Sequence, residues 1–106
     1  MFVAINYITC TEDYRERFES LLSNRAGAID KMEGFQRMKV LRPSERHQSY
    51  LILSEWDSER AFTAWTKSEA FIEGHKRAFA DLRRAKEEGK EPPMKSNFQT
   101  YEVIRT

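Results

Sequence analysis

Cysteine, histidine and long apolar runs are all scarce in this chain, and each scarcity closes a class of function. A single cysteine, Cys10, leaves no partner for an internal disulfide and no pair for a zinc site. Two histidines, His47 and His75, are too few for a His-rich metal centre. No apolar run approaches the ~20 residues that span a bilayer, so no membrane partner is expected. The opening MFVAINYITC has neither the basic n-region nor the small-residue cleavage site of a signal peptide, and a cytoplasmic protein is the simple expectation. Charge of one sign is also lacking. The 18 Lys and Arg against 17 Asp and Glu leave a net charge of +1, unlike the basic balance of a nucleic-acid binder. G-x-G-x-x-G, a P-loop, a G-x-S-x-G elbow and H-E-x-x-H are absent, so nothing signals dinucleotide, nucleotide, hydrolase or zincin chemistry.

What is present is the material of one globular domain over residues 1–106, with 40% apolar and 33% charged residues. A chain of this size buries only about two-thirds of its unfolded surface, so a large ligand cavity is costly unless a second subunit helps. Residues Phe2 to Thr9 alternate, with Phe2, Ala4, Asn6 and Ile8 on one face and Val3, Ile5, Tyr7 and Thr9 on the other. Both rows are largely apolar, which predicts a strand covered on both sides. Thr11 offers an N-cap, and Tyr14, Phe18, Leu21, Leu22, Ile29 and Met32 form a 3.6-period stripe, predicting one helix from Glu12 to Lys31 with Gly34 as its stop. Strands follow over Phe35 to Leu41 and Ser49 to Trp56, separated by a polar turn from Ser44 to His47. Asp57 or Ser58 caps a short helix, Glu59 to Thr66, and Ser68 caps another from Glu69 to about Lys86. A charged segment with Pro92-Pro93 leads to a last strand, Phe98 to Arg105.

The order β-α-β-β-α-α-β reads as α+β: a ferredoxin-like split βαβ sandwich, an antiparallel sheet with helices on one face. The other face, with Val3, Ile5 and the aliphatics of Leu51-Ile52-Leu53, is too apolar to meet water. A second copy of the sheet is the simplest cover, so a homodimer is expected.

Three residues stand out. His75 sits in the apolar stripe of the last helix, four residues after Phe71 and four before Phe79. The commoner role of such an imidazole is a hydrogen bond to backbone; the sharper one is a ligand facing a pocket, and a porphyrin iron wants one neutral imidazole among apolar groups. Asn6 interrupts an apolar strand row, where an unpaired amide costs about 1–3 kcal/mol. A nearby backbone group could satisfy it, or it could aim a hydrogen bond into a cavity. Trp65 and His75 would be roughly 15 Å apart along one unbroken helix, but the Ser68 cap implies a break that could fold both toward one pocket. Large aromatics on such helices are usually core, and Trp56 is read so. Cys10 reads as inert and His47 as solvated. Lys76, Arg77, Arg83 and Arg84 read as the wet side of the last helix; alternatively some of them, or Arg25, meet an anionic substrate.

Taken together, the residues resemble the haem-degrading monooxygenases of the IsdG type, within the antibiotic-biosynthesis-monooxygenase group of dimeric α+β barrels. The resemblance spans essentially the whole chain. It rests on Asn6, on Met32-Glu33-Gly34-Phe35, and most specifically on SEWDSERAFTAWTKSEAFIEGHK from Ser54 to Lys76, which carries Trp65 and His75. It implies that His75 is the proximal iron ligand, that Asn6 donates its amide to the distal ligand, and that Trp65 presses the porphyrin out of plane. Haem would be both cofactor and substrate, opened to a linear tetrapyrrole with release of iron, and an external electron donor, through an unidentified reductase, would supply electrons. The resemblance assigns no propionate-binding position here; Arg25 and Lys76 are the candidate cations for the propionates by their charge alone. Two rivals stand beside this expectation: a cofactor-free monooxygenase of quinols or polyketides on the same barrel, and a haem-binding dimer without turnover.

Overall fold

A computed structural model describes residues 1–23, 27–45 and 48–106. Its strands are β1 (Phe2–Cys10), β2 (Phe35–Leu41), β3 (Tyr50–Trp56) and β4 (Met94–Glu102); its helices are α1 (Arg15–Ser23), α2 (Glu59–Thr66) and α3 (Glu69–Glu87). The strands form one sheet in the order β2-β3-β1-β4, with every neighbouring pair antiparallel. This is the ferredoxin-like α+β arrangement that the element order predicts.

Register decides which residues share a face. Phe2, Ala4, Asn6 and Ile8 of β1 lie opposite Trp56, Ser54, Ile52 and Tyr50 of β3, and this is the face the helices cover. Trp56 is fully buried, edge-on to Phe35 and Phe62 at 5.3 and 5.8 Å, and its indole nitrogen donates to Ser54 Oγ at 2.9 Å. Such aromatic pairs add about 0.5–1.5 kcal/mol each beyond the burial of their area. A second cluster, Ile8, Tyr14, Phe18 and Tyr50, seats α1 on the other end of the sheet.

Polar clasps then fix the helices in place. Glu19 on α1 accepts from Tyr50 Oη at 2.5 Å and takes both Nε and Nη2 of Arg42, so α1 is tied to the end of β2 and to β3. Asp81 on α3 accepts from Tyr14 Oη at 2.7 Å and from Arg17 Nε at 3.2 Å, which ties α3 to the segment that begins α1.

Several boundaries differ from the sequence expectation. The single helix over Glu12 to Lys31 is instead a 3-10 turn at Glu12–Tyr14, then α1 ending at Ser23, then a second 3-10 turn at Ile29–Lys31. Ser23 Oγ bonds back to the Ser20 carbonyl, capping the last turn of α1 from its own side chain. Thr11 occupies the cap position, but its hydroxyl bonds Asp13 Oδ1 rather than a backbone N–H. The last strand begins at Met94 and ends at Glu102, not Phe98 to Arg105, because pairing with β1 runs on to Cys10 opposite Met94. The two serine caps are as expected: Ser58 Oγ accepts from Ala61 N–H at 3.2 Å and Ser68 Oγ from Phe71 N–H at 3.1 Å. The expectation for His47 falls outside the described residues.

Gly34 shows why the Met32–Phe35 junction has its residues. Its φ of +83° lies in the left-handed region, and a Cβ there would stand 2.6 Å from Ala61 Cβ. Only glycine fits, and its carbonyl accepts from Asp57 N–H at 2.8 Å, joining the entry of β2 to the exit of β3. On the uncovered face, Val3, Ile5, Leu51 and Leu53 are half-buried, while Leu41 and Tyr101 are exposed beside them. Among the described residues no helix is long and apolar enough to cross a membrane.

Candidate active site

Between the helices and the β2 end of the sheet lies a cavity of about 990 Å³. That is at the upper end of the roughly 300–1,000 Å³ usual for small-molecule sites. Phe35, Met38 and Val40 of β2 form its floor, Leu21, Leu22 and Ile29 one wall, and Trp65, Phe71 and His75 the other. Strict alternation cannot put Phe35 and Met38, three residues apart, on one face. A register shift between Phe35 and Arg37 does so, leaving Phe35 opposite Trp56 and Met38 opposite Ser54.

Trp65 and His75 reach this cavity together because α2 and α3 are separate helices. The Trp65 carbonyl accepts from both Ser68 N–H (3.0 Å) and Ser68 Oγ (2.7 Å), so the chain turns there before α3 starts. Trp65 is 8% exposed, belongs to the core cluster with Phe2, Ala4, Ile29, Trp56 and Phe62, and meets Phe71 edge-on at 5.7 Å. It is a wall that cannot easily swing away.

His75 is half-buried, its ring 4.1 Å from that of Phe71 and 5.8 Å from that of Phe79. Its Nδ1 stands 2.7 Å from the Phe71 carbonyl oxygen. A carbonyl only accepts, so Nδ1 carries the proton and, in the neutral ring, Nε2 carries the lone pair. The backbone bond that would make this histidine merely structural is therefore also the bond that sets the tautomer a metal ligand needs.

Asn6 is not in the cavity wall. It lies on the same sheet face, two strands in from β2, which at the usual strand spacing is about 10 Å. Its Oδ1 is buried and meets no hydrogen-bond partner among the described residues. Arg25 lies outside the described residues. Lys76 does not line the cavity: its ammonium pairs with Glu73 at 2.6 Å on the exposed side of α3, which keeps that lysine above its ordinary pKa. The cations that do line the cavity are Arg37 and Arg77. Arg37 Nε is engaged by Glu55 at 3.0 Å, whereas Arg77 has no ion-pair partner among the described residues. Arg77 is solvent-exposed, as the sequence reading expects, and it also lines the cavity, the place the alternative reading gives to a cation that meets an anionic substrate; the cavity-lining residues Ala70, Gly74 and Arg77 run one position before the apolar Phe71 and His75.

Cys10 is half-buried and its thiol is pushed up to about 11, mainly by burial, so it is a poor nucleophile at neutral pH. Around α3, burial raises the Tyr14 phenol well above its usual range, with Asp81 adding to the effect. Burial also pushes the Asp81 carboxyl upward, but the bonds donated by Tyr14 and Arg17 outweigh it and hold the group below its ordinary value.

The profile of the antibiotic biosynthesis monooxygenase family matches residues 1–77, a span that ends just past His75. The chain belongs to that family. It is 32% identical over 77 residues to a "Heme oxygenase (staphylobilin-producing)" of Staphylococcus haemolyticus (strain JCSC1435), covering 71% of this chain and 73% of that one. In three dimensions it is similar to the heme-degrader MhuD from Mycobacterium tuberculosis, solved with two hemes bound in its active site, with a TM-score of 0.72 and 25% identity over 100% of this chain and 98% of that one. SnoaB, a cofactor-independent oxygenase from Streptomyces nogalater, shares the fold at a TM-score of 0.73 and 20% identity, covering 99% and 94% of the two chains. The family and its fold are thus those the sequence resembles, and the proteins that share the fold include both a haem degrader and a cofactor-independent oxygenase.

Proposed function

We propose that this family member degrades haem: it binds the macrocycle in the cavity beside His75 and opens the ring with dioxygen and electrons from an external donor, delivered by a reductase of the cytoplasm. The observation that carries the reading is His75 itself, a half-buried imidazole in the cavity wall whose Nδ1 is committed to the Phe71 carbonyl.

The residues fit this group. Among the described residues no cluster of three or more His, Cys, Asp or Glu could nest a bare cation. A lone imidazole therefore holds a metal only when the metal brings its other ligands, as a porphyrin does. The cavity is large, its apolar floor and walls are joined by Asp30, Gln36, Arg37, Glu73 and Arg77, and the sheet face it shares carries an amide oxygen, Asn6 Oδ1, that meets no partner among the described residues. When bound, haem supplies the redox centre that activates dioxygen and is itself the carbon skeleton that is oxidised.

The chain's own residues then have separable duties. His75 would hold the iron through Nε2, its ring oriented by the Phe71 carbonyl and by the rings of Phe71 and Phe79. Trp65, fixed in the core, would be a rigid wall against which the macrocycle packs. Asn6, on the same sheet face but outside the cavity wall, would offer its side-chain amide as a hydrogen-bond donor to the ligand. Arg77 meets the carboxylates of the ligand; Arg25 and Lys76 would join it, the latter only by leaving Glu73. The uncovered apolar face of the sheet closes against a second copy to give the homodimer.

Hemin added to the purified protein should give a stoichiometric Soret band that is lost in His75→Ala. Ascorbate should then bleach the band of the wild type with release of ferrous iron to a chelator. No His75-dependent band would remove haem and leave cofactor-free oxygenation; a band that survives reductant would leave a haem carrier.

A further inference from the structure

Gly74 has no explanation in the fold. It lies inside the 19-residue helix α3, where glycine is disfavoured more than any residue except proline. Its backbone does not require glycine: among the described residues the positive φ angles belong to Gly34 and Gly89. Packing does not require it either. A Cβ built at Gly74 meets nothing within 4 Å, whereas one at Gly34 would collide with Ala61. Nothing in the protein occupies the space its side chain would take.

That open space borders the cavity. Gly74 lines it, one turn after Ala70 and next to His75 in the chain. Leaving out a side chain there exposes bare helix backbone in the wall, where a flat ligand can approach more closely than any side chain would allow. A helix accepts such a position, at a cost to its own stability, when something must come close to it.

We propose that Gly74 is a specificity-determining residue: the absence of its side chain sets the width of the cavity beside His75 and admits a ligand as broad and flat as a tetrapyrrole. The proposal rests on the haem reading above and adds to it the element that selects the ligand by shape rather than by iron ligation.

The test uses Gly74→Ala and Gly74→Leu in the intact chain, with hemin and iron-free protoporphyrin IX as probes. Protoporphyrin has the same outline but makes no bond to His75, so quenching of Trp fluorescence by it reads width alone. Without ligand, Gly74→Ala should melt no lower than wild type, because alanine is the better helix former and meets no clash. Binding of both porphyrins should nonetheless weaken, by about tenfold or more in Gly74→Leu as overpacking of a site predicts. His75→Ala should lose the hemin Soret band and keep protoporphyrin. If wild type binds protoporphyrin and Gly74→Leu binds it within twofold, the assignment of Gly74 is overturned while the haem reading stands. If wild type binds neither porphyrin, the haem reading falls and takes this inference with it.

Discussion

Replacing Asn6 by leucine should make the protein more stable and stop it from working. Asn6 Oδ1 is buried without a partner among the described residues, flanked in its own row by Ala4 and Ile8 and across the sheet by Ile52 and Phe98. An unpaired buried acceptor costs about 1–3 kcal/mol, and asparagine is also a poor strand former, so an apolar side chain of similar shape removes a penalty on both counts. Leucine has as many side-chain heavy atoms as asparagine, and Phe98, 48% exposed, can yield to its wider methyl groups, which keeps overpacking small. For 106 residues, unfolding entropy near 2.1 cal/mol/K per residue gives about 0.22 kcal/mol/K, so each kcal/mol moves the melting midpoint by about 4.5 °C. Asn6→Leu should therefore raise the midpoint of the ligand-free protein by roughly 4–13 °C in scanning calorimetry. Hemin should still bind through His75, with turnover under ascorbate lost. A lower midpoint would mean that the amide is satisfied in the folded protein, and normal turnover would remove Asn6 from the chemistry. Only a residue retained against stability behaves as expected in both assays.

Two further outcomes follow from the clasps and the bare sheet face. Hydrogen bonds from Arg42 and Tyr50 pull the Glu19 carboxyl down to about 2 from an ordinary 4.5. A folded value below the unfolded one stabilises above the unfolded value, and the gain disappears as pH falls through the folded value. Thermal midpoints followed by circular dichroism should thus fall from about pH 5 towards pH 2, more steeply in wild type than in Glu19→Gln; parallel curves would show that the clasp does not form in solution. On the uncovered face, Leu53 sits between Ile5 and Lys39; the wild type should run as the proposed dimer in light scattering and Leu53→Glu as a monomer, with the far-ultraviolet spectrum kept. A wild-type chain already monomeric at micromolar concentration would refute the pairing of sheets.

The residues that were legible before the coordinates share a physical property: their signal is local. Ser58 and Ser68 cap because a hydroxyl three residues before an amide closes a ring, whatever surrounds it, and the Ser68 break alone suffices to bring Trp65 and His75 to one cavity. What escaped was set by pairing or by coincident periods. Leu21, Leu22, Ile29 and Met32 satisfy a helical stripe, yet α1 stops at Ser23, because a 3-10 turn repeats every three residues and keeps apolar groups on the same side nearly as well as a helix does. The start of β4 carries Lys95, Ser96 and Asn97, which say nothing about strand; only the ladder to β1 assigns them. The register shift at Phe35–Arg37 is equally silent, since it is a property of two strands rather than of one. These silent features are not scattered. The end of α1, the turn at Ile29 and the shift in β2 bound the cavity on one side, while Trp65 and Phe71, on either side of the locally coded Ser68 turn, bound it on the other. Single-residue signals could therefore name the groups that do chemistry, His75 and Trp65, but not those that shape the space before them. Gly74 and Arg77 belong to that second kind, and become visible only when the stripe of α3 that faces the cavity is known.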